Sequence, residues 1–348
     1  MSSRRRTSLT AAVAAESQPI PTDMPTVEGV THRFVDVRGT RLHVAEAGDG
    51  PPLLLLHGWP QHWWCWRYLL GPLAQTYRVL APDLRGWGWS DAPAGSYDKS
   101  TFADDVIGLL DAEGLESVSV VGHDWGGFTA FLLGIEHPDR LQRIVNLDIA
   151  PPWMSPPRPR HALLPAVGTY AVAVATPGIG PLLMTASGAF IRTVIQGGST
   201  ARRWSTEEQD CYADVLRQPA RARASSACYR TFLTRELPAL ASGRYGPDDL
   251  GVDTLLLLGQ NSPMHRVLLP QPTPRMTIEI IEGAGHFLPE EAPEAVLAQI
   301  TRFLTDPTSW RHRRAGRRRS LVLGFEHHHV TGPLRIATST TAHLSALA

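Results

Sequence analysis

The sequence predicts an α/β protein with a mostly parallel central sheet, helices on both faces of the sheet and a helical insertion. Short apolar segments bounded by Gly, Pro or Asp recur along the chain, and segments with helical spacing lie between them. Four to six continuous apolar residues are typical of strands that are buried on both faces. The alternation stops near Pro151 and resumes near Thr254 after an interval rich in Pro, Ala and Arg. We therefore expect this interval to be helical and to cover the carboxyl ends of the strands.

The first expected element is an antiparallel hairpin, because Arg33–Val37 and Arg41–Glu46 alternate in polarity around a Gly-containing turn. Helical spacing predicts helices over Phe102–Leu110 and Gly126–Glu136. Buried strands are expected at Leu53–Leu56, Tyr77–Ala81, Val118–Val121, Ile144–Leu147, Thr254–Leu258 and Met276–Ile281. These elements divide the chain into a core over residues 25–150 and 246–306 and a helical cap over residues 151–245.

Composition excludes several classes of protein. With 348 residues, 43% of them hydrophobic, the chain can bury a sizeable core. Lys+Arg and Asp+Glu both number 33, which argues against binding to nucleic acid or to an anionic membrane. The three cysteines are too scattered for a disulfide framework or a zinc ribbon. No apolar run approaches the roughly 18 residues of a membrane span, so we expect a soluble, cytoplasmic protein.

The two ends differ from the rest of the chain. Residues 1–24 contain Arg4-Arg5-Arg6 and then small residues and prolines, so we expect a disordered extension, with a twin-arginine or signal leader as the alternative. Residues 307–348 contain two arginine-rich runs and a Ser/Thr/Ala-rich segment. We expect a disordered basic tail here, with a nucleic-acid-binding arm as the alternative.

The most informative chemical pattern is Gly122-His123-Asp124-Trp125-Gly126, which connects a predicted strand directly to a predicted helix. Small residues two positions before and after the central residue are typical of a nucleophile elbow, a strained turn that exposes that residue. The central residue is Asp124, whose carboxylate needs no base to activate it. Attack on an acyl carbon would form an anhydride, whereas attack on a saturated electrophilic carbon gives an alkyl ester that water can cleave. The alternative is an ordinary tight turn with an incidental Asp.

Two further segments fit this chemistry. His57-Gly58-Trp59-Pro60 follows the first buried strand, so the backbone N–H of Trp59 and that of Trp125 can form an oxyanion hole. We interpret His57 as structural. His286 lies on the Gly-rich loop after the last strand, which makes it the candidate general base that activates water.

Four motifs, in this order, carry a resemblance to a known family: His57–Arg67, Pro82–Asp91, Gly122–Gly127 and Gly283–Phe287. Together they resemble the epoxide hydrolase and haloalkane dehalogenase branch of the α/β-hydrolases, over roughly Glu28–Leu304. The resemblance implies the α/β-hydrolase fold with a helical cap, or lid, and an aspartate nucleophile. Asp83 and Arg85 match a loop that is usual in the family, and we interpret them as scaffold.

The resemblance also implies two cap tyrosines that donate to the epoxide oxygen. Tyr170 has the family's spacing before a Pro, although Ala171 replaces the usual Gln. Tyr229, followed by Arg, resembles the second tyrosine. Each could instead be a buried aromatic residue of the cap, and Tyr212 and Tyr245 are the other candidates.

The acid that orients His286 departs from the usual pattern. Most epoxide hydrolases carry it after the penultimate strand, where this chain has Ser262. Some relatives place it after the earlier strand, where this chain has Asp148. We therefore expect Asp148 to orient the imidazole. Alternatively, Asp148 only caps the backbone where the insertion begins. Without an acid at either position, ester hydrolysis would be slow.

The predicted function is an epoxide hydrolase that opens an apolar epoxide to a vicinal diol through an ester on Asp124, without metal or organic cofactor. The predicted substrate pocket is lined by aromatic side chains: Trp59, Trp63, Trp125 and Phe287. The alternatives are a haloalkane dehalogenase with the same nucleophile, an acyl esterase, which an Asp nucleophile disfavours, and a catalytically silent protein that binds a small ligand. We expect no nucleic-acid or membrane partner, and a monomer or homodimer.

Overall fold

A computed structural model describes residues 24–153, 164–262, 264–265 and 273–305. Eight strands form one sheet in the order β1-β2-β4-β3-β5-β6-β7-β8, in which β1 pairs antiparallel with β2, β2 antiparallel with β4, and all other neighbours are parallel. The strands are Thr31–Val37, Thr40–Ala47, Pro52–Leu56, Arg78–Pro82, Val118–His123, Leu141–Leu147, Thr254–Gly259 and Met276–Ile281. The predicted mostly parallel α/β sheet and its edge hairpin are confirmed.

The hairpin turn consists of Arg38 and Gly39, since Val37 pairs with Thr40. Both turn residues have positive φ, 50° and 79°, as a type I′ hairpin turn requires. The central parallel strands β3, β4, β5 and β7 are buried on both faces, and Leu53–Leu56 has no exposed surface. Continuous apolar sequence predicted these strands because neither of their faces meets water. The edge strand β8 is less buried and exposes Ile280.

Eleven α-helices are present in the described part of the chain. Those of the sheet layers are α1 (Arg67–Ala74), α2 (Lys99–Ala112), α3 (Trp125–Glu136), α10 (Leu288–Glu291) and α11 (Pro293–Thr305). Between β6 and β7 lie the insertion helices α4 (Leu164–Ala175), α5 (Ile179–Ala186), α6 (Ala189–Gly198), α7 (Thr206–Leu216), α8 (Pro219–Thr231) and α9 (Leu237–Ala241). A π-helical segment, Phe232–Glu236, joins α8 to α9. None of the described helices is long and apolar enough to cross a membrane.

The topology fixes where a site can form. Strand β3 lies between β4 and β5. The chain passes from β3 to β4 on one side and then crosses back over β3 to reach β5 on the other side. Such a switch point opens a crevice at the carboxyl ends of the strands. Asp124 follows β5 and Trp59 follows β3 at this edge. Of the expected N-terminal extension, residues 1–24, only Met24 lies within the described residues, and its side chain is buried. The expected C-terminal tail, residues 307–348, lies outside the described residues.

Candidate active site

Asp124 occupies a strained turn between β5 and α3. Its backbone has φ 50° and ψ −122°, a conformation that costs a non-glycine residue about 1–3 kcal/mol. The flanking positions have no space for a side chain: a Cβ at Gly122 would lie 2.6 Å from the Gly127 Cα, and a Cβ at Gly126 would lie 2.2 Å from the Leu56 carbonyl oxygen. The glycine spacing thus reflects tight packing on both sides of the turn, of Gly122 against the start of α3 and of Gly126 against the end of β3.

The carboxylate of Asp124 is buried and accepts a backbone hydrogen bond. Its Oδ1 accepts from the N–H of Trp59 at 2.9 Å, and the backbone amide of Trp125 lies close enough to favour the charged carboxylate. Burial raises the pKa of Asp124 above its ordinary value, while the nearby His286 and these two amides oppose the shift. Gly58 permits this approach, because a Cβ there would lie 2.3 Å from the Asp124 Cβ.

His286 stands between two carboxylates. Its Nε2 lies 3.7 Å from Asp124 Oδ2, and its Nδ1 lies 2.7 Å from Asp148 Oδ2. Burial disfavours the charged imidazole, but the hydrogen bond with Asp148 and the charges of Asp148 and Asp124 outweigh it and raise the pKa of His286 above 6.5. One imidazole nitrogen is therefore held by Asp148, and the other faces Asp124.

Asp148 has no exposed surface and three hydrogen-bond partners. Besides His286, it accepts from the Gly259 N–H at 3.0 Å and from the hydroxyl of Ser262. The two positions considered for the acid therefore meet in space, and the serine donates to the aspartate. Asp148 itself has a positive φ of 47°, so the backbone is strained here as well.

The predicted tyrosines both lie near Asp124. The ring of Tyr170 lies parallel to that of Trp59 at 6.0 Å between centroids, and the ring of Tyr229 meets Trp59 edge-on at 5.1 Å and Trp125 at 5.6 Å. Burial raises the pKa of Tyr170 to about 12, and burial with the neighbouring Tyr170 raises the pKa of Tyr229 well above 10. The charge of Asp124 contributes to both shifts, so both phenols lie within its electrostatic reach.

Other predicted pocket residues are distributed differently. Phe287 is buried, with its ring 5.0 Å from that of His286. Trp63 is not brought to the nucleophile: it is completely buried, and its ring packs against His32 and His43 at 4.7 and 6.2 Å. Its backbone N–H donates to Asp83 at 2.8 Å, which turns this segment toward the hairpin.

The remaining candidates have partners elsewhere. The hydroxyl of Tyr212 donates to Glu290 at 2.9 Å, and that of Tyr245 donates to Glu136. His57 is buried and makes hydrogen bonds to the Gly58 carbonyl and the Leu84 N–H. These contacts fit the structural interpretation of His57.

Sequence reasoning missed a buried ion pair next to Trp125, the residue that follows Asp124. Lys99, the only lysine of the chain, has no exposed surface and donates to Glu236 at 3.0 Å. Its ammonium lies 4.2 Å from the ring of Trp125 and 5.3 Å from that of Phe232. Glu236 also accepts from the Lys99 backbone N–H at 2.8 Å, so α2 and the π-helical segment are joined twice. A lone Lys at the start of a helix gave no signal of this contact.

Metal binding has no structural counterpart in the described ranges: no three His, Cys, Asp or Glu side chains there are grouped so that they could hold an ion. The groups gathered at the site are carboxylates, an imidazole, phenols and backbone amides, which can act as nucleophile, base and hydrogen-bond donors.

Comparison with known proteins gives a consistent result. Residues 51–177 match the family described as alpha/beta hydrolase fold. The chain is similar to the soluble epoxide hydrolase of Corynebacterium sp. strain C12, with 31% identity over 294 residues that cover 79% of this chain and 97% of that protein. It is also similar to epoxide hydrolase A of Mycobacterium tuberculosis, with 30% identity over 320 residues, 79% of this chain and 97% of that protein. A solved structure, epoxide hydrolase CorEH without ligand, matches with a TM-score of 0.71 and 29% identity over 79% of this chain and 98% of that chain.

Proposed function

The chain belongs to the α/β-hydrolase superfamily, in its epoxide hydrolase branch, and from that membership we propose that it opens an apolar epoxide to a vicinal diol through an ester on Asp124. The observation that carries the proposal is the chain of contacts from Asp124 to His286 at 3.7 Å and from His286 to the buried Asp148 at 2.7 Å. Such a chain supplies a nucleophile, a base and an orienting acid.

In the first step, the Oδ2 of Asp124 attacks an epoxide carbon and the C–O bond to the ring oxygen breaks. Oδ2 is suited to this role because Oδ1 is already held by the Trp59 N–H. The departing oxygen takes a proton from Tyr170 or Tyr229, whose raised pKa values keep both phenols protonated at neutral pH. The product of this step is a hydroxyalkyl ester.

In the second step, Nε2 of His286 accepts a proton from water, and the hydroxide adds to the carbonyl carbon of the ester. Negative charge develops on an oxygen of Asp124, where the N–H of Trp59 already donates in the resting state and the backbone amide of Trp125 lies nearby. Each such donor is worth about 3–4 kcal/mol in the transition state by analogy with measured deletions. Asp148 stabilises the imidazolium, which gives its proton to the departing diol oxygen as the intermediate collapses. The carboxyl proton left on Asp124 returns to the tyrosinate, so the carboxylate, the phenol and the neutral imidazole are all restored.

Trapping the ester tests this proposal. The His286→Gln variant lacks the base, so incubation with an aryl or alkyl epoxide should add the mass of the substrate to the peptide that contains Asp124. The Asp124→Asn variant should show no adduct and lose turnover by about 10⁴-fold or more. Asp36→Asn, a matched change at an exposed residue of β1, should leave turnover intact. Full turnover by Asp124→Asn would refute the ester route.

Haloalkane dehalogenation is the second candidate, and one observation favours it. The indole Nε1 of Trp125 is buried and has no hydrogen-bond partner in the part of the chain that the structure describes, so it could donate to a halide. The two phenols beside the nucleophile favour the epoxide, since a departing halide needs no proton. Release of chloride or bromide that survives Tyr170→Phe and Tyr229→Phe would favour the dehalogenase.

A further inference from the structure

One carboxylate connects the loop of His286 to the insertion. Glu291, the last residue of α10, accepts four backbone hydrogen bonds. Its Oε2 accepts from the N–H of Gly285 at 3.1 Å, and its Oε1 accepts from the N–H of Phe287 at 3.0 Å. The same Oε2 accepts from the N–H groups of Thr200 and Ala201, both at 2.8 Å. The two amides that flank His286 and two amides that follow helix α6 therefore share one acceptor.

The two segments are also in direct contact. The N–H of His286 donates to the Gly198 carbonyl at 2.9 Å. A Cβ at Gly285 would lie 2.6 Å from that same oxygen and 2.9 Å from Oε1 of Glu291, and a Cβ at Gly198 would lie 2.8 Å from the ring of Phe287. The close approach leaves space only for glycine at both positions, so a small movement of one segment must move the other.

The partners of Glu291 point to a role in positioning. Among the ion pairs of the described residues, none involves Glu291, and each of its hydrogen bonds goes to a backbone amide. A side chain with these partners fixes the path of the backbone. His286, the candidate base, lies between the amides of Gly285 and Phe287. Its Nδ1 and Nε2 must both keep their distances from Asp148 and Asp124.

We infer that Glu291 is a positioning residue for the hydrolysis of the ester: it holds the loop of His286 against the segment after α6, so that Nε2 faces the ester carbonyl. The inference rests on the proposed function. Ring opening depends on Asp124, Tyr170 and Tyr229, none of which touches Glu291. Loss of Glu291 should therefore slow the second step and leave the first step unchanged.

Steady-state kinetics separate the two steps. When hydrolysis limits turnover, kcat reports hydrolysis and kcat/KM reports ring opening, so kcat and KM fall together. In Glu291→Gln, one carboxylate oxygen is replaced by an NH₂ that faces backbone N–H donors. We expect kcat to fall about 10–100-fold, as for residues that orient a reacting group, with kcat/KM within about 2-fold of wild type. Glu294→Gln, at an exposed position of α11, is the matched control and should change neither value.

Rapid quench gives a direct readout. The ester on Asp124 should accumulate in Glu291→Gln and form at the wild-type rate. Equal falls of kcat and kcat/KM, or no fall of kcat, would overturn the role of Glu291. Absence of any ester in both wild type and His286→Gln would instead contradict the proposed function, so the two failures are distinguishable. If Glu291→Gln does not fold, Glu291→Asp, which keeps the charge, must show the same split between kcat and kcat/KM; an equal fall of both in that variant overturns the inference.

The pH profile supplies a second readout that a purely structural role would not move. Burial lowers the pKa of His286, and Asp148, then Asp124, then Glu291 raise it by their charges; His123, with its ring 4.8 Å away, is the other titratable group that faces the imidazole. Loss of the charge at 291 should therefore shift the acid limb of kcat to lower pH. Glu291→Asp should restore that limb toward wild type, and an unchanged limb in Glu291→Gln would contradict an electrostatic contribution.

Discussion

Replacement of Asp148 by Asn tests whether this residue orients the base. The aspartate is completely buried and accepts hydrogen bonds from the Gly259 N–H, the Ser262 hydroxyl and Nδ1 of His286. The one oxygen of an asparagine can keep the Gly259 bond. The NH₂ group of the asparagine then faces Ser262 and His286. The Ser262 hydroxyl can rotate and accept a hydrogen bond from this NH₂ group, but Nδ1 of His286 can accept one only after it loses its proton. The imidazole is then protonated at Nε2 and cannot take a proton from water.

The magnitude follows from this tautomer. The equivalent Asp→Asn change in a serine protease lowers kcat about 10⁴-fold for the same reason. In the proposed mechanism His286 serves only the second step, so we expect the rate of ester hydrolysis to fall about 10²–10⁴-fold. This fall corresponds to about 3–5 kcal/mol, at about 1.36 kcal/mol for each factor of ten. The rate of ester formation should change little, since Asp124 keeps its contact with the Trp59 N–H.

Rapid-quench mass spectrometry measures both rates in one experiment. The Asp148→Asn variant should accumulate up to one equivalent of ester and then turn over slowly, whereas Asp36→Asn should behave as wild type. Unfolding curves of both variants control for loss of structure. Rapid hydrolysis of the ester by a folded Asp148→Asn variant would refute the assignment of Asp148 as the orienting acid. Ser262 cannot take over the role of Asp148, because a hydroxyl carries no charge to stabilise the imidazolium.

Three further predictions concern the phenols, the imidazole and the buried ion pair. Tyr170→Phe and Tyr229→Phe should each lower kcat/KM about 10²-fold, as loss of one transition-state donor does, and the double variant should lower it further. Turnover should fall as the pH drops through the pKa of His286, because only the neutral imidazole accepts a proton; the pKa is raised, so an NMR titration of the free enzyme should place it above 6.5. Glu236→Gln leaves the ammonium of Lys99 buried without its charge partner and should destabilise the fold by about 3–5 kcal/mol in urea unfolding.

Each of these predictions has a contrary outcome. Wild-type kcat/KM in the double phenylalanine variant would remove the phenols from the ring-opening step. A His286 pKa below 6.5 in the free enzyme would mean that burial outweighs the two carboxylates. A change below about 1 kcal/mol in Glu236→Gln would equal that expected for an exposed pair such as Asp214 and Arg217, and would show that the ammonium finds another partner.

The sheet and the elbow were predictable because their causes are local. A strand buried on both faces must be apolar throughout. A turn packed against the start of α3 and the end of β3 must have glycine at positions 122 and 126. Asp124 was evident for the same reason. His286 could be predicted from its place on a Gly-rich loop after β8.

The rest depends on contacts between distant parts of the chain. Asp148 and Ser262 lie 114 residues apart, and the parallel register of β6 and β7 places both beside the imidazole. Sequence reasoning treated these positions as alternatives, whereas the structure pairs them. The partner of Glu291 at Thr200 is 91 residues away, and that of Lys99 at Glu236 is 137 residues away. A single sequence carries no signal for such pairs.

Trp63 shows the limit of composition as a guide. An aromatic-rich motif after β3 suggested a pocket wall, but the segment Trp63–Trp66 forms a 3₁₀ helix whose first N–H donates to Asp83. That hydrogen bond turns the indole toward the β1–β2 hairpin. The direction of a side chain on a short irregular segment depends on one such contact, which the sequence does not reveal.

The route of oxygen tests the central claim most directly. With enzyme in excess over epoxide in ¹⁸O-water, each molecule reacts once. An ester on Asp124 requires the new diol oxygen to come from the carboxylate, so the first-turnover diol should be unlabelled and the Asp124 peptide should gain ¹⁸O. Label in the diol with none in Asp124 would contradict the covalent route and leave the carboxylate, at most, as a base for direct attack by water.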